Sequence, residues 1–278
     1  MELKINTGMK HSIFILWLLL VPAALLHAAT VDTIPVFSSA MNKQINTIVI
    51  SPSQQAGRRY PSVYVLHGYS GNPYRTLKED IPSLPAQADQ YGIIFILPDG
   101  QFDSWYVNSP VRKNSQYETF LGQELVHFID GHYPTIADRY HRGIMGWSMG
   151  GHGALYVGLK NAGVFGALGS MCGAVDFVPF VQDFGIDKII GTDASKWASY
   201  TVYGNAKLFA FSQQALIISC GTSDPFLAQN RKLHEFLESQ HVAHTYIEQE
   251  GAHDHTYWSK AAIYQVLFFD RFFKEARL

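Results

Sequence analysis

The sequence is poor in the residues that would mark several classes of function. Only two cysteines occur in 278 residues, Cys172 and Cys220, and neither belongs to a C-x-x-C pair. That excludes a disulfide framework. No H-E-x-x-H appears either, so metal-ligand spacing is absent and neither a metal nor a cofactor is expected. Charge is scarce as well: 21 basic against 23 acidic side chains leave a net charge of −2. No basic run exceeds the Arg58-Arg59 pair, which argues against a nucleic-acid partner. Internal repeats and low-complexity linkers are missing. Near the N-terminus, residues 13–26 form an apolar run of fourteen, shorter than the roughly 20 residues of a membrane-spanning helix.

That run follows Lys4 and Lys10 and precedes His27-Ala28-Ala29-Thr30. A positive region, a short apolar region and a small-residue cleavage site, in this order, describe a secretory signal. Residues 1–29 are therefore read as a leader and residues 30–278 as one domain. The mature protein is expected outside the cytoplasm, secreted or periplasmic, with no membrane association once the signal is cleaved. An uncleaved anchor is the alternative. No cysteine lies near the cut, which speaks against a lipid anchor.

With 47% hydrophobic residues, a chain of this length can bury one large core. Short apolar runs alternate with longer amphipathic ones, the pattern of βαβ units and a parallel sheet. Residues 31–37 and 46–50 read as a leading antiparallel pair. Runs 63–67 and 93–97, rich in β-branched and aromatic residues, read as buried central strands, and 242–248 as the last strand. Helices are expected at about 84–91, 119–132, 149–160, 226–240 and 260–274. Residues 175–207 break this rhythm and are read as an irregular insertion. Cys172 and Cys220 each end an apolar run. As neighbouring strands these runs would bring the thiols close, either bonded or, as the default for such positions, buried and free.

The most informative pattern is Gly146-Trp147-Ser148-Met149-Gly150, a G-x-S-x-G between a short apolar strand and a helix. Such a turn lifts a serine above the sheet edge and leaves no room for side chains two residues to either side. A serine hydroxyl needs a base, and histidine titrates near working pH. An acid then fixes the imidazole tautomer. The chain order of this motif is serine, acid, histidine. Asp224, in a polar turn directly after an apolar strand, fits the acid, although it would equally cap the helix that follows at Pro225. Asp176 and Asp187 are the competitors and follow strands less cleanly. His253 and His255 both sit after the last expected strand, and spacing alone does not separate them. The backbone N–H groups of Met149 and Tyr69 are candidate oxyanion donors. Trp105 and Tyr106, after the strand at 93–97, are candidate pocket walls or packing aromatics. His152, on the helix after the serine, reads as a locally bonded residue.

From about Tyr60 onward the chain resembles the esterase D-like branch of the α/β-hydrolases. The resemblance rests on Tyr64-Val-Leu-His-Gly68, Leu97-Pro-Asp-Gly100, Ser104-Trp-Tyr106, Gly146 to Ala154, Cys220-Gly-Thr-Ser-Asp224 and Gly251-Ala-His253. It implies an α/β-hydrolase fold, a mostly parallel central sheet with helices on both faces. It also implies Ser148 as nucleophile, Asp224 as acid and Tyr69 with Met149 as oxyanion donors. The feruloyl esterase and mycolyltransferase pattern G-x-H-x-(aromatic)-x-x-W matches His253 and Trp258, whereas formylglutathione hydrolases resemble Asp254-His255-Thr256. The leader sides with the first group and hence with His253, although His255 stands where those relatives carry an aromatic. The resemblance implies a serine carboxylesterase acting on short acyl or hydroxycinnamoyl esters, of small molecules or of carbohydrates. The alternatives are an acyltransferase, a thioesterase of the S-formylglutathione type, and a binding protein that has lost catalysis. Intact Ser148, Asp224 and His253 speak against the last.

Overall fold

The computed structural model describes residues 28–53 and 57–276. The basic and apolar parts of the expected leader lie outside the described residues. Eight strands form one sheet: β1 (Thr30–Ser38), β2 (Lys43–Ser51), β3 (Ser62–Leu66), β4 (Ile94–Pro98), β5 (Arg142–Trp147), β6 (Ala167–Met171), β7 (Ala215–Gly221) and β8 (Thr245–Gln249). Their spatial order is β1-β2-β4-β3-β5-β6-β7-β8. β1 pairs antiparallel with β2, and β2 antiparallel with β4, while every later pairing is parallel. The burial explains this arrangement. Every residue of β3, β4, β5 and β6 is buried, as a strand covered on both faces requires. The outer strands β1 and β8 keep exposed or half-exposed positions.

Helices cover both faces, as the sequence led us to expect. On one face lie α1 (Leu84–Tyr91) and the long C-terminal helix, whose Tyr257, Ala261, Val266, Phe269 and Phe273 enter one apolar cluster. On the other lie α2 (Leu125–His132), α3 (Met149–Lys160) and α4 (Leu227–Ser239). The C-terminal helix, α5, spans His255–Glu275. Burying each large apolar side chain on these faces stabilises the fold by about 1.5–3 kcal/mol.

Two boundaries differ from expectation for local reasons. α5 begins five residues before the apolar periodicity does, because Asp254 caps it, accepting from the Tyr257 N–H at 2.9 Å. β8 begins at Thr245 rather than 242, because the Val242 N–H closes α4 on the Leu237 carbonyl at 2.9 Å. The irregular stretch 175–207 contains short helical pieces such as Asp187–Ile190, Ala194–Trp197 and Val202–Asn205. Cys172 and Cys220 end the adjacent strand runs of β6 and β7 as buried free thiols, and burial pushes the Cys172 thiol up.

Candidate active site

Ser148 sits between β5 and α3, at the C-terminal edge of the sheet, with φ 56° and ψ −122°. A residue with a Cβ avoids this conformation, which must be held by its surroundings. The neighbours hold it through close packing. A Cβ on Gly150 would run into the Leu66 carbonyl, so the elbow closes directly onto β3. The Ser148 N–H donates to the Met171 carbonyl at 3.1 Å, and its own carbonyl accepts from His152 at 3.0 Å. The turn is thereby fixed from both sides.

Two loops bring side chains to this serine. After β7, Asp224 is buried, and its Oδ1 accepts from the Phe226 N–H at 2.8 Å. Its Oδ2 lies 2.7 Å from His253 Nδ1. After β8, His253 turns Nε2 to within 2.8 Å of Ser148 Oγ. Aspartate, imidazole and hydroxyl thus form one unbroken hydrogen-bonded chain, in which Nδ1–H donates to the Asp224 carboxylate and Nε2 is left as the basic nitrogen. Phe226 and Trp258 meet the imidazole edge-on, with ring centroids 5.0 and 5.3 Å away, and clamp its plane. His255 is an exposed residue at the start of α5 and is not part of this chain. Of the competing acids, Asp176 pairs with Lys232 at 3.9 Å, and Asp187 begins a short helix.

Met149 opens α3, so its N–H has no carbonyl within the helix to bond. Gly68 packs against the elbow, where an added Cβ would lie 3.4 Å from the Ser148 Cβ, and this brings the Tyr69 segment beside the serine. His67 braces that loop. Its Nδ1 donates to the Gly68 carbonyl at 2.8 Å and its Nε2 accepts from the Gly100 N–H at 2.8 Å, so the ring is neutral in this network. Sequence reasoning placed His67 in a motif but gave it no role.

A cavity of about 240 Å³ opens over the serine, walled by Tyr69, Trp147, Phe184, Phe226, His253 and Trp258 among others. Trp105 and Tyr106 do not line it, which corrects the expectation that they form its wall. Gly100 and Gly153 leave a space beneath the loop that the Tyr106 ring fills, and its hydroxyl donates to the His67 carbonyl at 3.0 Å. Trp105 is buried against Phe177, with centroids 5.2 Å apart, and meets the cavity wall at Phe184, with centroids 6.1 Å apart. Phe184, from the irregular insertion, takes the wall position instead. His152 is buried, with Nε2 donating to the Tyr200 carbonyl at 2.8 Å, and burial lowers its pKa to about 4.

Residues 38–269 match the Esterase family model. The chain belongs to this family. It is similar to an acetyl esterase of Caldicellulosiruptor saccharolyticus, 26% identical over 81% of this chain and 92% of that protein. It is also similar to the S-formylglutathione hydrolase of Mus musculus, 27% identical over 76% of this chain and 82% of that protein. Among solved structures, a ferulic acid esterase superposes with a TM-score of 0.76 at 23% identity, over 88% of this chain and 99% of that one. The protein is an esterase with an α/β-hydrolase fold. Its mostly parallel sheet carries the serine, acid and histidine at one edge, in the order that this fold uses.

Proposed function

We propose that this esterase is a secreted or periplasmic serine carboxylesterase working through an acyl-enzyme. Ser148 attacks the ester carbonyl while His253 takes its proton, and Asp224 holds the imidazole and stabilises its cation. The N–H groups of Tyr69 and Met149 stabilise the oxyanion. The histidine then returns its proton to the departing alcohol, and water, activated by the same nitrogen, frees the acid. The observation that carries this reading is the hydrogen-bonded chain from Asp224 through His253 to Ser148, ending in an open cavity. The small, largely aromatic cavity suits short acyl or hydroxycinnamoyl esters, including those on carbohydrate. The export part rests on the leader-like residues 1–29 alone.

A fluorophosphonate probe tests the chemistry. Wild-type protein should be labelled on Ser148, and Ser148→Ala should lose both the label and about 10⁴–10⁶-fold in kcat with the fold intact. An unlabelled wild type would sink the assignment. A thioesterase is the second reading, favoured by the 27% identity to the mouse S-formylglutathione hydrolase. Turnover of S-formylglutathione set against p-nitrophenyl acetate separates the two.

A further inference from the structure

A second polar pair lines the same cavity and takes no part in the steps above. Arg75 and Asp80 lie on the short helical stretch after β3, which Asn72 caps by accepting from the Arg75 N–H at 2.9 Å. Asp80 is only 1% exposed. Among the described residues its carboxylate accepts no hydrogen bond from the protein, and Oδ1 lies 3.7 Å from Arg75 Nε, too far for one. Arg75 Nε is itself buried without an acceptor, with the exposed Glu79 carboxylate 3.5 Å away. Trp258 Nε1, on a residue of the same wall, is a third buried polar atom without a partner. Folded interiors seldom leave such atoms unpaired without a reason.

Arg75, Asp80 and Trp258 line the ester-sized hole, and the unpaired acceptor and two unpaired donors they carry match a hydroxyl group, which donates one hydrogen bond and accepts others. A cationic alcohol fits less well, because Arg75 already offsets the Asp80 charge. The position selects the alcohol half of the ester. The turn Thr76–Asp80 packs against α5, which begins two residues after His253. The histidine hands its proton to the departing alcohol, so that alcohol leaves on the histidine side. Phe184 and Phe226 make up much of the remaining apolar wall.

We propose that Asp80 and Arg75 form a recognition site for a hydroxyl next to the ester oxygen, so that the preferred substrates are monoesters of vicinal diols and larger polyols. This rests on Ser148 and His253 acting as assigned above. It deepens that assignment by naming the residues that choose the leaving group.

The test compares kcat/KM for 2-hydroxyethyl, 2-methoxyethyl and propyl butyrate, in wild type, Asp80→Asn and Asp80→Leu. Wild type should favour the hydroxyethyl ester by at least about tenfold, since a site built for a hydroxyl rejects analogues that leave its polar groups unpaired. Asp80→Leu should erase the preference. Asp80→Asn keeps one acceptor oxygen and should retain part of it. Fluorophosphonate labelling of each variant verifies that its serine site has formed, and Asp80→Asn carries the test if the leucine variant does not fold. Equal kcat/KM for the three esters in wild type would overturn the proposal. So would an equal fall for all three in the folded variants, the mark of a merely structural pair. A wild type that does not react with the probe overturns the nucleophile assignment and this pair with it.

Discussion

At the scale of single residues, the two histidines after β8 are the sharpest test of the site. They stand two positions apart, and the onset of α5 gives them different surroundings: His253 lies in the loop with Nε2 2.8 Å from Ser148 Oγ, while His255 is exposed in the first turn. His253→Ala should lower kcat by about 10⁴–10⁶-fold, and His255→Ala should leave it near wild type, as surface substitutions usually do. The reverse result, read in steady-state kinetics, would discard His253 as the base. The serine, the acid and the loops that carry them were legible because G-x-S-x-G and the polar turn after β7 are local patterns. The choice of histidine was not legible from spacing and came to His253 only through the family resemblance and the leader, since it depends on where a helix starts, and Asp254 sets that. Arg75 and Asp80 were invisible for a deeper reason. They belong to no motif and meet because the stretch Thr76–Asp80 is wound with i→i+5 bonds, the Ile81 N–H donating to the Thr76 carbonyl at 2.8 Å, a winding that no periodicity in the sequence signals. Trp105 and Tyr106 were misplaced because spacing along a strand edge does not tell which aromatic turns inward. Both have positive φ, 51° and 57°, which no residue pattern announced.

At the scale of elements, periodicity revealed most strands and helices because parallel strands buried on both faces read as continuous apolar runs. It failed between residues 175 and 207, where short turns are held by side chains distant in sequence. One such tie joins α3 to this insertion through His152 and the Tyr200 carbonyl. Its consequence is a pH dependence. In the unfolded chain a histidine titrates near about 6.5, whereas in the folded protein burial holds His152 at about 4. Below about pH 6.5 the unfolded chain therefore binds a proton that the native protein refuses, and stability falls as the pH drops towards 4. The full loss from this one group is about 3 kcal/mol. His152→Gln, which retains a donor for Tyr200, should lose less stability between pH 7.5 and 4.5 than wild type does, by an amount of this order. Urea unfolding at the two pH values measures it, and parallel losses in the two proteins would remove His152 as the cause.

At the scale of the whole molecule, the sheet has a natural beginning where the sequence suggests a cut. The register of the first pair opens with Thr30 opposite Ser51, and Ala29 packs at the edge of the core below it. The Ala29 N–H donates to Asp89 Oδ2 at 2.8 Å, while Asp89 Oδ1 accepts from Ser53 at 2.7 Å. These backbone bonds help hold the Asp89 carboxyl below its usual value despite the opposing desolvation. Among the described residues no helix is long and apolar enough to cross a membrane. Cleavage after Ala28 would turn the Ala29 N–H into an ammonium group facing a carboxylate. An exposed ion pair of this kind contributes at most about 1 kcal/mol, equivalent to a rise of about 2–4 °C in Tm for a domain of this size. A protein starting at Ala29 should thus melt no lower than the full-length chain, and slightly higher at low salt. Asp89→Asn or high ionic strength should cancel the gain, because both remove the charge attraction and leave the sheet register untouched. N-terminal sequencing of exported protein should begin at Ala29 or Thr30. Recovery of the chain with Met1 or the 13–26 run still attached would show that the leader reading is wrong, without touching the chemistry assigned to Ser148.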